Sequence, residues 1–189
     1  MKLRKEYVIL GILIVVLSAY VLLRKSDRSF YELPVLQPVK TSDITRVTID
    51  TPKENISLYR KGGKWVVGEQ AFAADENQIK QATEIIGNLI LTTLASESKN
   101  YERYELDDDH KITVKAWSED ALVRDFEVGK SAPSFRHTFV KLAGDHRVYH
   151  ARENFRRVFE KTLDDLRDKT VLSFDKNQIN RIRERLNVP

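Results

Sequence analysis

The sequence predicts an α+β protein: an N-terminal transmembrane helix, then a mainly antiparallel sheet in the order βββ-α-ββββ-α, covered by two amphipathic helices. Three observations predict it. Tyr7–Leu23 runs for seventeen residues without a charged side chain. Short segments with period-two alternation recur at hairpin spacing, most clearly around Gly62-Gly63. Two stretches, beginning near Asp75 and Phe155, repeat their apolar residues at helical period instead.

The apolar run, which includes Tyr7, Leu13, Val16 and Leu23, covers roughly 26 Å as a helix, the short end of a membrane span. Arg24 and Lys25 extend its reach by snorkelling toward the headgroups. A cleaved secretory signal is the rival. Ser18-Ala19 offers small residues for cleavage, but Leu17 fits the site poorly and Val21-Leu22-Leu23 continue the apolar run past it. The reading taken is an uncleaved signal anchor over 7–23, behind a tail of residues 1–6 too short to fold. Three basic side chains lie on each side, so the positive-inside rule is nearly tied, and the free α-amino group tips the tail to the cytoplasm. The expectation is a single-pass cell-membrane protein with a periplasmic C-terminal domain.

Residues 24–41 read as a tether, in which Pro34 and Pro38 forbid a helix and favour an extended path that holds the domain off the bilayer. The domain is placed at 42–173. Ile44–Asp50 reads as its first strand, with Thr45, Val47 and Ile49 on one face. Ile56–Arg60 and Lys64–Val67 flank Gly62-Gly63, a two-residue turn in which both glycines can take positive φ. Ile56 and Leu58 then share a face with Trp65 and Val67. Asp75 caps the first helix, with Gln78 completing a capping pair. Ile79, Ala82, Ile86, Leu89 and Ile90 form its apolar face; Gly87 within it costs up to about 1 kcal/mol relative to Ala and points to close packing. Strands follow at Lys111–Trp117, Leu122–Val128, Phe135–Leu142 and Arg147–Ala151, the last two joined by a Gly144-Asp145 turn. Phe155, Val158, Phe159, Thr162 and Leu166 make a second amphipathic helix ending near Lys169. Residues 174–189 form a C-terminal stub with two readings. Gln178-Ile179-Asn180-Arg181-Ile182 echoes Asp43-Ile44-Thr45-Arg46-Val47, as the start of a second repeat would; a short helix capped at Asp175 is the other.

On these residues the chain resembles a family of membrane-anchored proteins of unknown function encoded beside ABC transporters of the gliding-motility type. The features that carry the resemblance begin with Gly62-Gly63-Lys64-Trp65, Ala73-Ala74-Asp75 and Tyr104-Glu105-Leu106. They continue through Phe126-Glu127-Val128-Gly129-Lys130, Phe139-Val140, Val148-Tyr149 and Leu163-Asp164-Asp165-Leu166-Arg167-Asp168-Lys169. The family pattern tends to have Gly where Glu105 stands and Pro where His110 stands, so the turn before Lys111 is expected to differ. The resemblance implies an extracytoplasmic accessory domain working with a transporter, and it supplies no catalytic residue.

Charge narrows the function classes. The chain carries 32 Lys+Arg against 28 Asp+Glu, net +4. Six basic and two acidic residues fall in 1–28, which leaves 26 of each in 29–189, so the surplus belongs to the anchor. A nucleic-acid-binding domain would carry its surplus on the folded surface, and nucleic acid is not an expected partner. Within the domain, residues 147–189 hold eleven basic and seven acidic side chains. Arg152, Arg156 and Arg157, with Arg181, Arg183 and Arg185, give this region a cationic bias. It reads either as a solvated face or as a docking surface for an acidic partner or anionic headgroups. Tyr101, Tyr104 and Phe135 add aromatic anchors to the docking reading if exposed.

No cysteine is present, and no Gly-rich phosphate loop, Gly-x-Ser-x-Gly or His-Glu-x-x-His occurs. No cofactor is expected. The metal candidates are histidines: pairing across the Gly144-Asp145 turn sets Phe139 opposite His150, which makes His137 and His150 diagonal neighbours on one face, but no third ligand is placed. Asp107-Asp108-Asp109-His110 lacks the ligand spacing of a calcium loop and reads as a solvated acidic turn. The expected function is therefore that of a non-enzymatic, membrane-anchored accessory subunit of an envelope complex, auxiliary to an ABC-type transporter and acting through protein–protein contacts. The alternative is an extracytoplasmic sensor or binding domain for a small molecule or glycan.

Overall fold

The computed structural model describes residues 5–23 and 31–170, and the chain divides into two compact units between Glu32 and Leu33. Arg24, Lys25 and the stub at 174–189, with Arg181, Arg183 and Arg185, lie outside the described residues. The first unit contains helix α1, Lys5–Leu23. Tyr7, Leu13 and Val16 lie on it and are exposed, as are Ile9, Ile12 and Ile14. Among the described residues no helix is long and apolar enough to cross a membrane. The expectation of a membrane span rests on the uncharged run Tyr7–Leu23 in the sequence alone.

The second unit is built on a large antiparallel sheet, as the alternating runs require. Its strands are β1 (Arg46–Asp50), β2 (Asn55–Lys61), β3 (Lys64–Val67), β4 (Phe72–Ala73), β5 (Leu91–Ser96), β6 (Ile112–Ser118), β7 (Ala121–Ser131), β8 (His137–Leu142) and β9 (Val148–Arg152). They lie in the order β4-β3-β2-β1-β6-β7-β8-β9-β5. Two meanders, one on each side of β1 and β6, are thus joined by the β1–β6 pairing, in register from Arg46↔Trp117 to Asp50↔Thr113. Helix α2 (Glu76–Gly87) and β5 occupy the crossover between them.

Alternation places Val47 and Ile49 with Ile56, Leu58, Val67, Val114, Phe126, Val128, Val140 and Tyr149 in one buried core. Ile79, Ala82 and Ile86 of α2 cover it. The Gly62-Gly63 turn has φ of 59° and 81°, and Leu58 faces Val67 while Arg60 faces Trp65. Asp75 caps α2 by accepting from the backbone N–H of Asn77 and Gln78. The reciprocal half of the expected capping pair is absent: the Gln78 side chain instead accepts from Lys161. Ile90 lies beyond the helix end and is exposed.

Two strands and one helix depart from the expected order. Strand β5 escapes a period-two reading because its register shifts between Leu91 and Thr93 and again between Leu94 and Ser96. Such bulges let Leu91 and Leu94, three apart, both face the core opposite Ala151 and Tyr149. Strand β4 is two residues long, too short to show a pattern. The expected second helix is two single turns, α3 (Arg156–Phe159) and α4 (Leu163–Leu166). Thr162, counted on the apolar face, is instead the N-cap of α4, exchanging bonds with Asp165 in a capping box. The chain after Leu166 pairs with the β4 side of the sheet: the Asp75 N–H donates to Leu166 O, and the Asp168 N–H donates to Ala73 O.

From Leu33 the proline-containing segment forms neither helix nor strand and lies against this unit. Leu33, Leu36 and Val39 pack on the core, the Val39 N–H donates to Gly87 O at 3.1 Å, and Arg124 donates to the carbonyls of Gln37 and Ile86. Gly87 is the position that permits this strap, because a β-carbon there would stand 2.4 Å from Val39 O. Gly87→Ala should gain up to about 1 kcal/mol of helix propensity and lose more to the backbone clash, typically about 1–3 kcal/mol. A lower thermal midpoint is the expected result in a melting experiment.

Candidate interaction surface

The residues that suggested docking or metal chemistry are distributed by the sheet into three places. The first is the start of α3. Arg152 and Arg157 are exposed, but Arg156 is not a free cation: its side chain is 13% exposed. Its Nη2 donates to the His110 carbonyl at 2.9 Å and lies 3.5 Å from Glu105 Oε2, while Nε lies 3.7 Å from Glu160. Arg156 therefore clamps the 105–110 turn to α3, a correction to its expected role in docking. Glu105 holds φ of 54° and ψ of 42°, the left-handed region that favours Gly. In the same turn His110 Nδ1 lies 2.6 Å from Asp107 Oδ2. That hydrogen bond holds the Asp107 carboxyl below its usual range and raises the His110 imidazole above its own.

The second place is the sheet face opposite the main core. Leu106, Ala132, Phe139 and Val148 make a small cluster there, against which Tyr101 and Tyr104 pack. Tyr104 meets Phe139 edge-on at 4.8 Å, and its carbonyl would lie 2.3 Å from a β-carbon on Gly129. Tyr104, half-buried, is thus part of the packing. Next to it, Phe139 faces His150 and His137 faces Arg152, the register expected from the Gly144-Asp145 turn. The two imidazoles meet edge-on at 5.8 Å. His150 Nδ1 lies 2.9 Å from Thr93 Oγ1, and burial, then the neighbouring His137, lower its pKa. Among the described residues no group of three or more His, Asp or Glu is placed to hold a metal ion.

The third place is the β8–β9 turn, which sequence reading treated only as a turn. Asp145 accepts from Arg147 Nε and Nη2 at 3.0–3.1 and 2.8 Å and from the Tyr149 hydroxyl at 2.7 Å. These bonds, Arg147 foremost, hold its carboxyl well below the usual carboxylate range. Burial, with Asp145 beside it, raises the Tyr149 phenol to about 12, so the hydroxyl remains a donor at neutral pH. Only the Asp-x-Arg-x-Tyr spacing, on one side of a hairpin turn, could have signalled it. The exposed apolar side chains of the unit lie elsewhere, the largest exposure being Val35 at 85% and Phe135 at 76%.

A family model described as a domain of unknown function, DUF4340, matches residues 65–187. The chain belongs to the DUF4340 family. No curated protein and no solved structure matches it. The match covers α2, the β6–β9 meander and both short helices of this DUF4340 domain.

Two outcomes test these assignments. Arg156→Glu should lower the thermal midpoint by removing a mostly buried donor from the His110 carbonyl, a loss of about 1–3 kcal/mol, whereas Arg157→Glu should leave it within about 0.5 kcal/mol. Asp145 has a depressed folded pKa, so its contribution is present above the unfolded value near about 4 and is lost as pH falls below it. Asp145→Asn should therefore destabilise the domain at pH 7 by roughly 1–3 kcal/mol and flatten its acid-dependent loss of stability in melts taken from pH 7 down to pH 2.

Proposed function

We propose that this DUF4340 protein is a non-enzymatic, membrane-anchored accessory subunit of an envelope complex, with its folded domain outside the cytoplasm. The observation that carries the reading is the seventeen-residue uncharged run Tyr7–Leu23, with three basic side chains on each side, ahead of a segment 29–189 that is formally neutral. A charge-free run of this length is the sequence signature of a membrane span, and its position ahead of the domain makes it an anchor. The domain's acids and bases support a contact role, since Asp145, Glu127, Arg156 and Asp165 are engaged with neighbouring side chains or a cap. The lipid bilayer and an integral membrane or envelope protein are the partners this reading requires. Assignment of that partner to an ABC-type transporter is supported by family resemblance.

A second reading, a binding domain for a small extracytoplasmic molecule, takes support from one feature. A surface hollow of ≈ 490 Å³ between α2 and the end of β9 sets Ile85, Leu89 and Phe155 beneath Gln81, Glu84 and Arg152. Its size is within the range of ligand clefts, and its walls combine apolar and polar groups.

Carbonate extraction of membranes and protease treatment of intact spheroplasts test the anchor directly. The full-length protein should stay in the carbonate pellet, dissolve only with detergent, and lose its domain to external protease. Release by carbonate, or a domain protected in intact spheroplasts, would overturn the proposal.

A further inference from the structure

Of the three aromatic residues that suggested docking, Tyr101 and Tyr104 pack inward and Phe135 does not. Its ring is 76% exposed and is a member of neither hydrophobic cluster. Its backbone is also in an unfavourable place. Ala132–Phe135 closes the β7–β8 hairpin, with the Phe135 N–H on Ala132 O at 2.8 Å and the Ala132 N–H on His137 O at 2.8 Å. This leaves Phe135 at φ 55°, a conformation suited to Gly or Asn and costly for a bulky side chain. An aromatic ring that strains its turn and packs on nothing contributes nothing to the described fold.

Its surroundings state what kind of partner it fits. Arg136 adjoins it, and Arg152 lies opposite His137 at the same end of the sheet. Among the described residues neither arginine, nor Lys130 on the same hairpin, is in a salt bridge. A ring with unpaired cations around it complements an apolar pocket rimmed by carboxylates. A single exposed ring favours a protein pocket over the bilayer, because adsorption to a lipid surface scales with the apolar area buried.

We propose that the β7–β8 hairpin tip is the domain's docking anchor, with Phe135 entering an apolar, acid-rimmed pocket on an envelope protein and Arg136 and Arg152 pairing with its rim. The inference rests on the accessory-subunit reading and gives that reading its contact surface.

The test places a photoreactive benzoylphenylalanine at position 135 of the full-length protein in cells, with the same group at Leu122, also exposed, as control. A discrete protein adduct is expected from position 135 and none from 122. Arg136→Glu with Arg152→Glu should cut its yield at least about tenfold, since like charges set against each other at an interface are strongly unfavourable. Phe135→Asn in the purified protein should melt at or above the midpoint of the parent, since Asn suits the left-handed turn. An adduct with lipid only, equal adducts from both positions, no adduct, charge-insensitive labelling, or a clear fall in midpoint for Phe135→Asn would each overturn the assignment. A carbonate-resistant protein with no adduct at 135 would keep the anchor and lose this contact.

Discussion

The pairing of β1 with β6 is the constraint on which the domain depends. These strands are more than sixty residues apart in the chain, yet they share five register pairs, Arg46↔Trp117 through Asp50↔Thr113. Each side of this seam is a local meander whose turns its own sequence specifies. Only the seam makes them one sheet with one apolar face, and α2 then covers that face from the crossover. Because side chains alternate, a slip of one residue at this seam would turn Val114 and Ala116 away from Val47 and Ile49. The core is therefore a product of long-range register more than of helix packing, and α2 covers it together with Phe155, Val158, Phe159 and Leu166 of the C-terminal turns and with the strap.

Close backbone approaches hold the parts that are not strand. Gly87 lets the strap of residues 33–40 touch α2, and Gly129 lets the Tyr104 turn touch β7. Both are places where a β-carbon would meet a carbonyl oxygen, so neither contact could form around a larger residue. Arg156 adds a polar clamp on the same turn that Gly129 admits. The 101–110 segment is thus fixed from both sides, and its charged residues serve shape before they serve recognition.

Much of this was legible in the sequence. The Gly62-Gly63 hairpin, the Asp75 cap and the Phe139↔His150 register follow from local rules, and the structure has all three. The failures share a cause: each depends on a distant partner. Leu91 and Leu94 show no period-two alternation, and only the bulges of β5 against β9 put both on the core. Phe155–Leu166 has helical spacing, yet Thr162 finds a better use as a cap, and the following backbone bonds to the β4 side of the sheet. Pro34 and Pro38 signal a segment without helix, and a docked strap and a free tether look alike in sequence. Arg156 and Arg157 are adjacent and chemically identical; only the position of the 105–110 turn makes one a clamp and leaves the other in solvent. Phe135 is the inverse case, an aromatic that alternation assigns to a strand and the hairpin leaves outside.

The central claim is that this domain acts by contact, at the hairpin end of β7 and β8, while anchored beside its partner. Amide hydrogen exchange measures that most directly, comparing the full-length protein in its native membrane with the same protein purified in detergent. The account predicts that slowed exchange in the membrane is concentrated at residues 131–137 and 150–153, with β1 and β6 unchanged. Identical exchange at the hairpin in both preparations, or new protection confined to the β8–β9 turn, would contradict it.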